Sequence, residues 1–189
     1  MRAAVLVPIK SFDLAKGRLS EALDTQQRAS LARTMATRVL AAGGGLQVWV
    51  VCDDAEVASF AVAKRAEVIW RPSRGLNAAV TDGCEFLFAQ GIERVVVAHA
   101  DLPLATDLAW VADDDGITIV PDRRGDGTNV MSLPLGTDFQ FHYGLGSAEK
   151  HRAEAERRGL TCALRPDDEL GWDVDVPEDL SVLGDEFKT

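Results

Sequence analysis

The chain has 189 residues, which is enough for one domain with a substantial buried core. Its composition, 47% hydrophobic and 26% charged, is ordinary for a soluble globular protein, and no apolar run approaches the roughly 20 residues that cross a bilayer. The net charge of −10 argues against a nucleic-acid-binding surface, which needs a basic face, but it still allows a small anionic ligand held by local cations.

The cysteines and the first residues indicate the compartment. Cys52, Cys84 and Cys162 lie far apart with no C-x-x-C pair, so the sequence predicts reduced thiols, and neither a disulfide framework nor a zinc site. The N-terminus has one arginine before a strand-like run and lacks the cleavage pattern of a secretory signal. The expected compartment is therefore the cytoplasm.

The first half of the chain alternates short apolar runs with longer amphipathic ones. The apolar runs predict strands at residues 3–9, 46–52, 67–70 and 94–98. The amphipathic runs predict helices at residues 25–42, 55–65 and 76–90, the first of them capped by Asp24 or Thr25. This order indicates an α/β fold with a mostly parallel sheet, right-handed crossovers and helices on both faces.

After about residue 113 the alternation becomes less regular. Short strands are predicted at residues 117–120, 129–133, 160–165 and 172–174, with a charged helix at residues 147–158 and a terminal helix that starts at "PEDL". With no internal repeat or long linker, the chain reads as one domain whose second half adds mixed or antiparallel strands.

The opening loop, within "VLVPIKSFDLAKGRLS", gathers cations directly after the first strand. Lys10, Lys16 and Arg18 fall within nine residues, and Gly17 would let a ligand approach the backbone closely. Ligands of open parallel sheets bind beyond the carboxyl ends of the strands, so these cations could converge on a phosphate chain. The alternative is a solvated loop with ordinary surface cations. The loop matches neither of the two commonest phosphate-binding patterns, G-x-x-x-x-G-K-[ST] and G-x-G-x-x-G.

A second candidate is "VVVAHADLPL", where an apolar strand runs into Asp101. A carboxylate at the tip of a central strand is well placed for Mg²⁺, which is bound by one or two carboxylates plus substrate phosphates. The alternative is that Asp101 caps the following helix. His99 is predicted to be structural, because Mg²⁺ prefers oxygen ligands and no second histidine lies at metal-ligand spacing.

A third candidate is "GWDVDVPEDL". Asp173 and Asp175 alternate along a predicted strand, so they should point to the same face, and one or both could join Asp101 around a metal. Glu178 and Asp179 fit the acidic first turn of a helix that starts at a proline, and they are predicted to be structural.

A fourth candidate is "FHYGLGS". Gly144, Gly146 and Ser147 immediately precede a predicted helix, whose free N–H groups could bind a carboxylate or phosphate. Ser147 as a simple N-cap is the alternative, and Thr128 of the "GDGT" turn could add a hydroxyl. A cation loop, separated aspartates and an anion-binding helix end together suit phosphoryl or nucleotidyl transfer.

At this point the sequence resembles the phosphoenolpyruvate and 2-phospho-L-lactate guanylyltransferases, which serve biosynthesis of the deazaflavin coenzyme F-420. The motifs that carry the resemblance occur in the order "VPIKSFDLAKGRLS", "RGLNAAV", "AHADLPL", "PDRRGDGTNVM", "FHYGLGSAEKHRAEAERRGL" and "DVDVPEDL". The opening loop and "FHYGLGS" are the most specific of these. "DLP" and "D-x-P-E-D-L" are shared more widely among nucleotidyltransferases of the glycosyltransferase-A-like fold, including the molybdenum-cofactor guanylyltransferases.

The resemblance implies a three-layer α/β/α fold of the nucleotide-diphospho-sugar transferase type and a Mg²⁺-dependent reaction of GTP with a small phosphorylated acid. It divides the single domain into a nucleotide-binding half, residues 1–112, and an acceptor-binding and metal-completing half, residues 113–189. The implied GTP-binding residues are Pro8, Lys10, Ser11, Lys16, Arg18 and Asn77. The implied acceptor residues are Thr128, Gly144 and Ser147, and the implied metal ligands are Asp101, Asp173 and Asp175. Lys16, Arg18 and Asp101 would be catalytic.

The sequence leaves several alternatives open. The acceptor could be phosphoenolpyruvate, 2-phospholactate or 3-phosphoglycerate, and a pterin-type acceptor would be expected to come with the Gly-rich opening loop that this chain lacks. A non-catalytic nucleotide-binding domain is disfavoured because the aspartates and the loop cations occur together. The second half could also supply a homodimer interface, whereas neither nucleic acid nor a membrane is an expected partner.

Overall fold

The computed structural model describes residues 2–72 and 75–183, and within them seven strands form one sheet. The strands are β1 (Ala3–Pro8), β2 (Gln47–Cys52), β3 (Glu67–Trp70), β4 (Arg94–Ala98), β5 (Ile117–Pro121), β6 (Thr128–Pro134) and β7 (Cys162–Leu164). Their order across the sheet is β3-β2-β1-β4-β6-β5-β7. Only the two pairings of β6 are antiparallel, so the predicted parallel first half and mixed second half are confirmed.

Four α-helices cover the sheet: α1 (Thr25–Ala41), α2 (Ala55–Ala63), α3 (Leu76–Ala89) and α4 (Ser147–Arg157). Alternate residues of the strands face opposite sides, so the sheet separates two hydrophobic cores. One core contains the apolar faces of α1 and α2, and the other contains those of α3 and α4. The three-layer α/β/α architecture is confirmed. No helix within residues 2–72 and 75–183 is long and apolar enough to span a membrane.

The local signals explain where the first helix begins. The carboxylate of Asp24 accepts a hydrogen bond from the backbone N–H of Gln27 at 2.8 Å, and the Gln27 amide oxygen accepts one from the Asp24 backbone N–H at 3.0 Å. This reciprocal capping box satisfies two donors that would otherwise have no intrahelical partner. Asp24, and not Thr25, is therefore the N-cap. The three cysteines are free thiols, as predicted.

One predicted strand is absent from the described part of the chain. Residues 172–174 have no ladder partners, and the position beside β5 is taken by β7. Instead, this segment crosses near the carboxyl ends of the strands, and Val174 is buried against Leu19, Leu31 and Met35 in a third small core. The "PEDL" segment forms a 3₁₀ helix, Pro177–Val182, and any continuation into residues 184–189 lies outside the described residues.

The single antiparallel strand determines what lies at the functional edge of the sheet. Parallel strands β1 and β4 both end at this edge. Because β6 runs the other way, it begins there, with Val130 paired to the last residue of β4. The turn between β5 and β6 and the first residue of β6, Thr128, therefore lie beside the carboxyl ends of the parallel strands. The predicted homodimer interface stays a prediction.

Candidate active site

A cavity of about 370 Å³ lies at the carboxyl ends of β1 and β4. The predicted site residues that line it are Pro8, Lys10, Ser11, Lys16 and Asp101. A second cavity of about 120 Å³ shares Pro8 and Lys10 with the first and extends to the end of β2. The opening loop therefore borders a cleft large enough for a small ligand, in the place where open α/β sheets bind ligands.

Lys16 links the opening loop to the two acidic segments. Its ammonium forms a close ion pair with Asp101 and donates a hydrogen bond to Asp175 at 3.1 Å. Lys16 has a left-handed backbone (φ 57°) and is followed by a 3₁₀ turn, Gly17–Leu19, anchored by the buried Leu19. Arg18, with an exposed side chain, lies 3.5 Å from the other oxygen of Asp175. Two of the predicted loop cations thus lie among the predicted metal ligands, although those residues are up to 159 positions apart in sequence.

The Lys16–Asp101 pair stays ionised despite its burial. Burial alone would raise the pKa of Asp101, but the Lys16 ammonium, with smaller contributions from His99 and a backbone hydrogen bond, holds that pKa below its usual value. Burial likewise lowers the pKa of Lys16, and the carboxylates of Asp101 and Asp175 more than reverse the effect. Lys16 is therefore held in its charged form beside two carboxylates.

The pKa of Asp173 is shifted upward, in the opposite direction to that of Asp101. Burial raises its pKa, and the neighbouring negative charges of Asp101 and Asp175 raise it further. The three predicted metal ligands are therefore close enough to repel one another, even though the strand that was expected to align Asp173 and Asp175 does not form. This concentration of negative charge favours binding of a cation.

The residues fit a metal that is shared with a substrate. In the described part of the chain, Asp101 Oδ1 is buried and has no hydrogen-bond partner, so one carboxylate oxygen is available. No group of three or more acidic, histidine or cysteine residues within those same ranges is arranged to hold a metal by itself. Mg²⁺ commonly takes one or two carboxylates and completes its shell with water and substrate phosphates, which matches this donor set.

Asp179 holds the acidic segment in place. Its carboxylate, 1% exposed, accepts hydrogen bonds from the backbone N–H groups of Asp175 and Val176 at 2.8 and 3.0 Å, and it pairs with Arg123. The Arg123 guanidinium also stacks over the ring of Trp172, 4.3 Å from its centroid. The structural role predicted for Asp179 is confirmed, and it joins the β5–β6 turn to the segment that carries Asp175.

We expect Asp179→Ala to destabilise the protein by about 3 kcal/mol, because it leaves a half-buried Arg123 and two backbone donors without their acceptor. For a chain of this length the loss corresponds to a melting temperature roughly 6–12 °C lower. The control is Glu149→Ala, which breaks an ion pair between Arg152 and a 70%-exposed carboxylate and should leave the melting temperature nearly unchanged. Equal melting temperatures for the two variants would contradict the anchoring role.

Thr128 and Ser147 meet in a buried polar cluster. Ser147 Oγ lies 3.2 Å from Thr128 Oγ1, and Thr128 Oγ1 lies 3.1 Å from Nδ1 of His151. All three side chains are almost completely buried. Ser147 is the first residue of α4 and not its N-cap, because Gly146 occupies the cap position in a left-handed conformation (φ 67°). The simple capping alternative for Ser147 is therefore wrong.

The helix N-terminus is not the free anion site that the sequence suggested. The backbone N–H of Gly146 donates to the Asp126 carboxylate at 2.9 Å, and that of Ser147 donates to the Gly144 carbonyl at 3.1 Å. The next N–H, of Ala148, donates to the Asp126 carbonyl at 3.1 Å. The N–H groups of Gly146, Ser147 and Ala148 are therefore already paired within the protein. Thr128 and Ser147 are buried, and neither lines the cleft beside Lys16 and Asp101. The roles of Gly144 and Ser147 in acceptor binding stay predictions.

Asn77 joins the two halves of the site. Its side-chain oxygen accepts a hydrogen bond from the Tyr143 backbone N–H at 2.7 Å, and its side-chain nitrogen lies 3.4 Å from the Tyr143 carbonyl. In the structure the Asn77 amide pairs with the "FHYGLGS" segment, and its predicted contact with a nucleoside stays a prediction.

The sequence alone did not predict a role for His151 or Asp126. For His151 a signal was available: it lies four residues, or one helical turn, after Ser147.

The sequence is similar to a known family and to named relatives over nearly its whole length. Residues 3–184 match the family model described as guanylyl transferase CofC like. A phosphoenolpyruvate guanylyltransferase of Rubrobacter xylanophilus is 34% identical, with 97% of this chain and 94% of that protein aligned. A 2-phospho-L-lactate guanylyltransferase of Methanocaldococcus fervens is 31% identical, with 95% of this chain and 83% of that protein aligned.

Solved structures confirm the predicted fold type. A nucleotide-diphospho-sugar transferase-like protein of Desulfovibrio desulfuricans G20 superposes with a TM-score of 0.75 at 18% identity, over 96% of this chain and 86% of that one. A 4-diphosphocytidyl-2C-methyl-D-erythritol synthase of Anaerococcus prevotii superposes with a TM-score of 0.60 at 10% identity, over 95% and 94% of the two chains. At these identities the likeness establishes the fold alone.

Proposed function

Because this chain belongs to the CofC-like guanylyl transferase family, we propose that it joins GTP to a phosphorylated three-carbon acid, phosphoenolpyruvate or 2-phospho-L-lactate, and releases pyrophosphate. The observation that supports this most directly is the ionised Lys16–Asp101–Asp175 cluster beside a cleft at the carboxyl ends of the strands. The product would enter biosynthesis of the deazaflavin coenzyme F-420, and the reaction would take place in the cytoplasm.

In the proposed reaction, a phosphate oxygen of the acid attacks the α-phosphorus of GTP. The bond from that phosphorus to the oxygen that bridges to the β-phosphorus breaks, and pyrophosphate leaves with the electron pair. A phosphate monoester is largely dianionic near neutral pH, so no strong general base is required. Catalysis then consists of bringing two polyanions together and stabilising the charge that develops on the leaving group.

The cations of the opening loop would contact the triphosphate. Lys16 can leave its carboxylate partners for phosphate oxygens, and the exposed Arg18 lies beside it. Lys10 and Ser11 line the same cleft. Mg²⁺, held by Asp101 and Asp175 with Asp173 nearby, would supply the additional charge neutralisation that this chemistry needs. The hydroxyl pair of Thr128 and Ser147 would receive an anionic group of the acid.

The test is a pyrophosphate-release assay with GTP and Mg²⁺, run in parallel with phosphoenolpyruvate, 2-phospho-L-lactate and 3-phosphoglycerate. We expect release with one of the first two acids, no release without an acid, and much slower release when ATP or CTP replaces GTP. Chelation of the metal with EDTA should stop the reaction. Binding of GTP with no pyrophosphate release for any acid would contradict the proposal.

Replacing Ser147 with Ala tests the acceptor site. We expect the KM for the acid to rise about 10- to 100-fold, because a hydrogen bond to a charged group is lost, while the KM for GTP stays within about twofold of wild type. The change removes one buried oxygen and little volume, so the melting temperature should stay close to that of the wild type. A larger rise in the KM for GTP than in the KM for the acid would place the acceptor elsewhere.

A further inference from the structure

His151 uses both ring nitrogens within the acceptor cluster. It is fully buried on α4, one turn after Ser147. Its Nε2 lies 2.8 Å from the backbone nitrogen of His142, and its Nδ1 lies 3.1 Å from Thr128 Oγ1. The rings of Phe139, Phe141 and Tyr143 surround the imidazole, with the Tyr143 centroid 4.9 Å away. The imidazole is thus shielded from bulk water and held by two fixed partners.

The partners determine which nitrogen carries the proton. A backbone N–H can only donate, so Nε2 of His151 must accept from His142. In a neutral imidazole the other nitrogen then bears the hydrogen, and Nδ1–H donates to Thr128 Oγ1. The ring is neutral at physiological pH because burial, and to a smaller extent His142 and His99, lower its pKa to about 4.

The tautomer in turn determines how many hydroxyl hydrogens are left for a ligand. Thr128 and Ser147 have one hydroxyl hydrogen each, and the bond between them uses one. When Nδ1 of His151 donates, the second hydrogen stays available. With the opposite tautomer, Ser147 would donate to Thr128 and Thr128 would donate to Nδ1, so no hydrogen would remain for an anion.

We propose that His151 is a positioning residue that donates to Thr128 and thereby leaves one hydroxyl hydrogen of the Thr128–Ser147 pair available to an anionic group of the acid. The inference rests on the proposed function, which places the acid at this pair. His151 does not contact the substrate itself, since its nitrogens are occupied by His142 and Thr128. It acts by fixing the direction of the hydrogen bonds within the buried cluster.

Two amide substitutions separate this role from a packing role. His151→Asn places a side-chain NH₂ near the position of Nδ1, so it can still donate to Thr128, but it loses the acceptor for His142. His151→Gln reaches the position of Nε2 and can accept from His142, but it has no donor at the position of Nδ1. Both replace a buried ring with a smaller amide, so each is a matched control for the packing defect of the other.

We expect His151→Gln to raise the KM for the acid about 10-fold or more and to leave the KM for GTP within about twofold of wild type. His151→Asn should keep the KM for the acid within about threefold of wild type. A purely structural role would instead make the two variants lose activity alike, in proportion to their loss of stability. A wild-type KM for the acid in folded His151→Gln would also contradict the proposal.

A second measurement does not depend on turnover. The ¹⁵N chemical shifts of the His151 ring in the uniformly labelled wild-type protein report which nitrogen is protonated. We expect Nδ1 to be protonated and Nε2 to be the unprotonated acceptor at pH 7, and an Nε2–H tautomer would overturn the role of His151. Failure of the wild type to release pyrophosphate would contradict the proposed function instead, so the two failures can be told apart.

Discussion

Asp101→Asn is expected to reduce pyrophosphate release about 100- to 1,000-fold while the protein stays folded. The substitution keeps the shape of the side chain but removes a buried negative charge, and with it a buried carboxylate oxygen that has no hydrogen-bond partner among residues 2–72 and 75–183. It also removes the main partner of the Lys16 ammonium, which keeps Asp175. Initial rates with saturating GTP and acid, together with the melting temperature, measure both effects.

The matched control is Asp113→Asn, an exposed aspartate that precedes β5 and therefore lies at the opposite edge of the sheet. It makes the same chemical change without touching the cleft, so turnover should be unchanged. Wild-type turnover in Asp101→Asn would remove Asp101 from the mechanism. Parallel losses in both variants would mean that net charge, and not the position of Asp101, controls the rate.

Lys16→Met is expected to lower kcat/KM for GTP by roughly 100-fold. Methionine keeps an unbranched apolar stem but has no charge to stabilise the triphosphate. The free protein should change as well. Without the ammonium, Asp101 loses the largest of the interactions that oppose the effect of burial, so its pKa should rise above the low value it has beside Lys16. Steady-state kinetics with varied GTP provide the measurement.

The control for this variant is Lys64→Met. Lys64 follows α2, and its ammonium lies over the ring of Phe60, 5.7 Å from the ring centroid. Its charge should therefore not affect the kcat/KM for GTP. An unchanged kcat/KM in Lys16→Met would make Lys16 a bystander. A rise in the KM for the acid alone would mean that Lys16 contacts the acid and not GTP.

The sequence predicted the elements whose patterns are local. Nearly continuous apolar runs predicted β1 and β4, and a capping residue followed by 3.6-residue periodicity predicted α1. The convergence of Lys16 with Asp101 was also predictable, because both follow strands of a parallel sheet and such strands end at one edge. These predictions needed only strand direction and the rule for where ligands bind.

Other features depend on tertiary contacts that no local pattern records. Residues 172–174 alternate as a strand would, but β7 occupies the position beside β5, and Val174 is buried in the third core instead. Two helix-end N–H groups, those of Gly146 and Ala148, are paired with Asp126, a residue 20 positions away from Gly146. The spacing from Ser147 places His151 on the same helix face, but its contact with Thr128 depends on β6 and α4 being neighbours.

The late position of residues 173–179 in the chain has a consequence for folding during translation. The contacts that complete the cleft join Lys16 to residues 85 and 159 positions later, and the Asp179 anchor follows all seven strands. During translation, the β1–β4 part of the sheet can form long before residues 173–179 leave the ribosome. Until then Lys16 lacks one carboxylate partner and the acidic segment is absent, so a nascent chain should acquire full nucleotide affinity only after residues 173–179 have emerged.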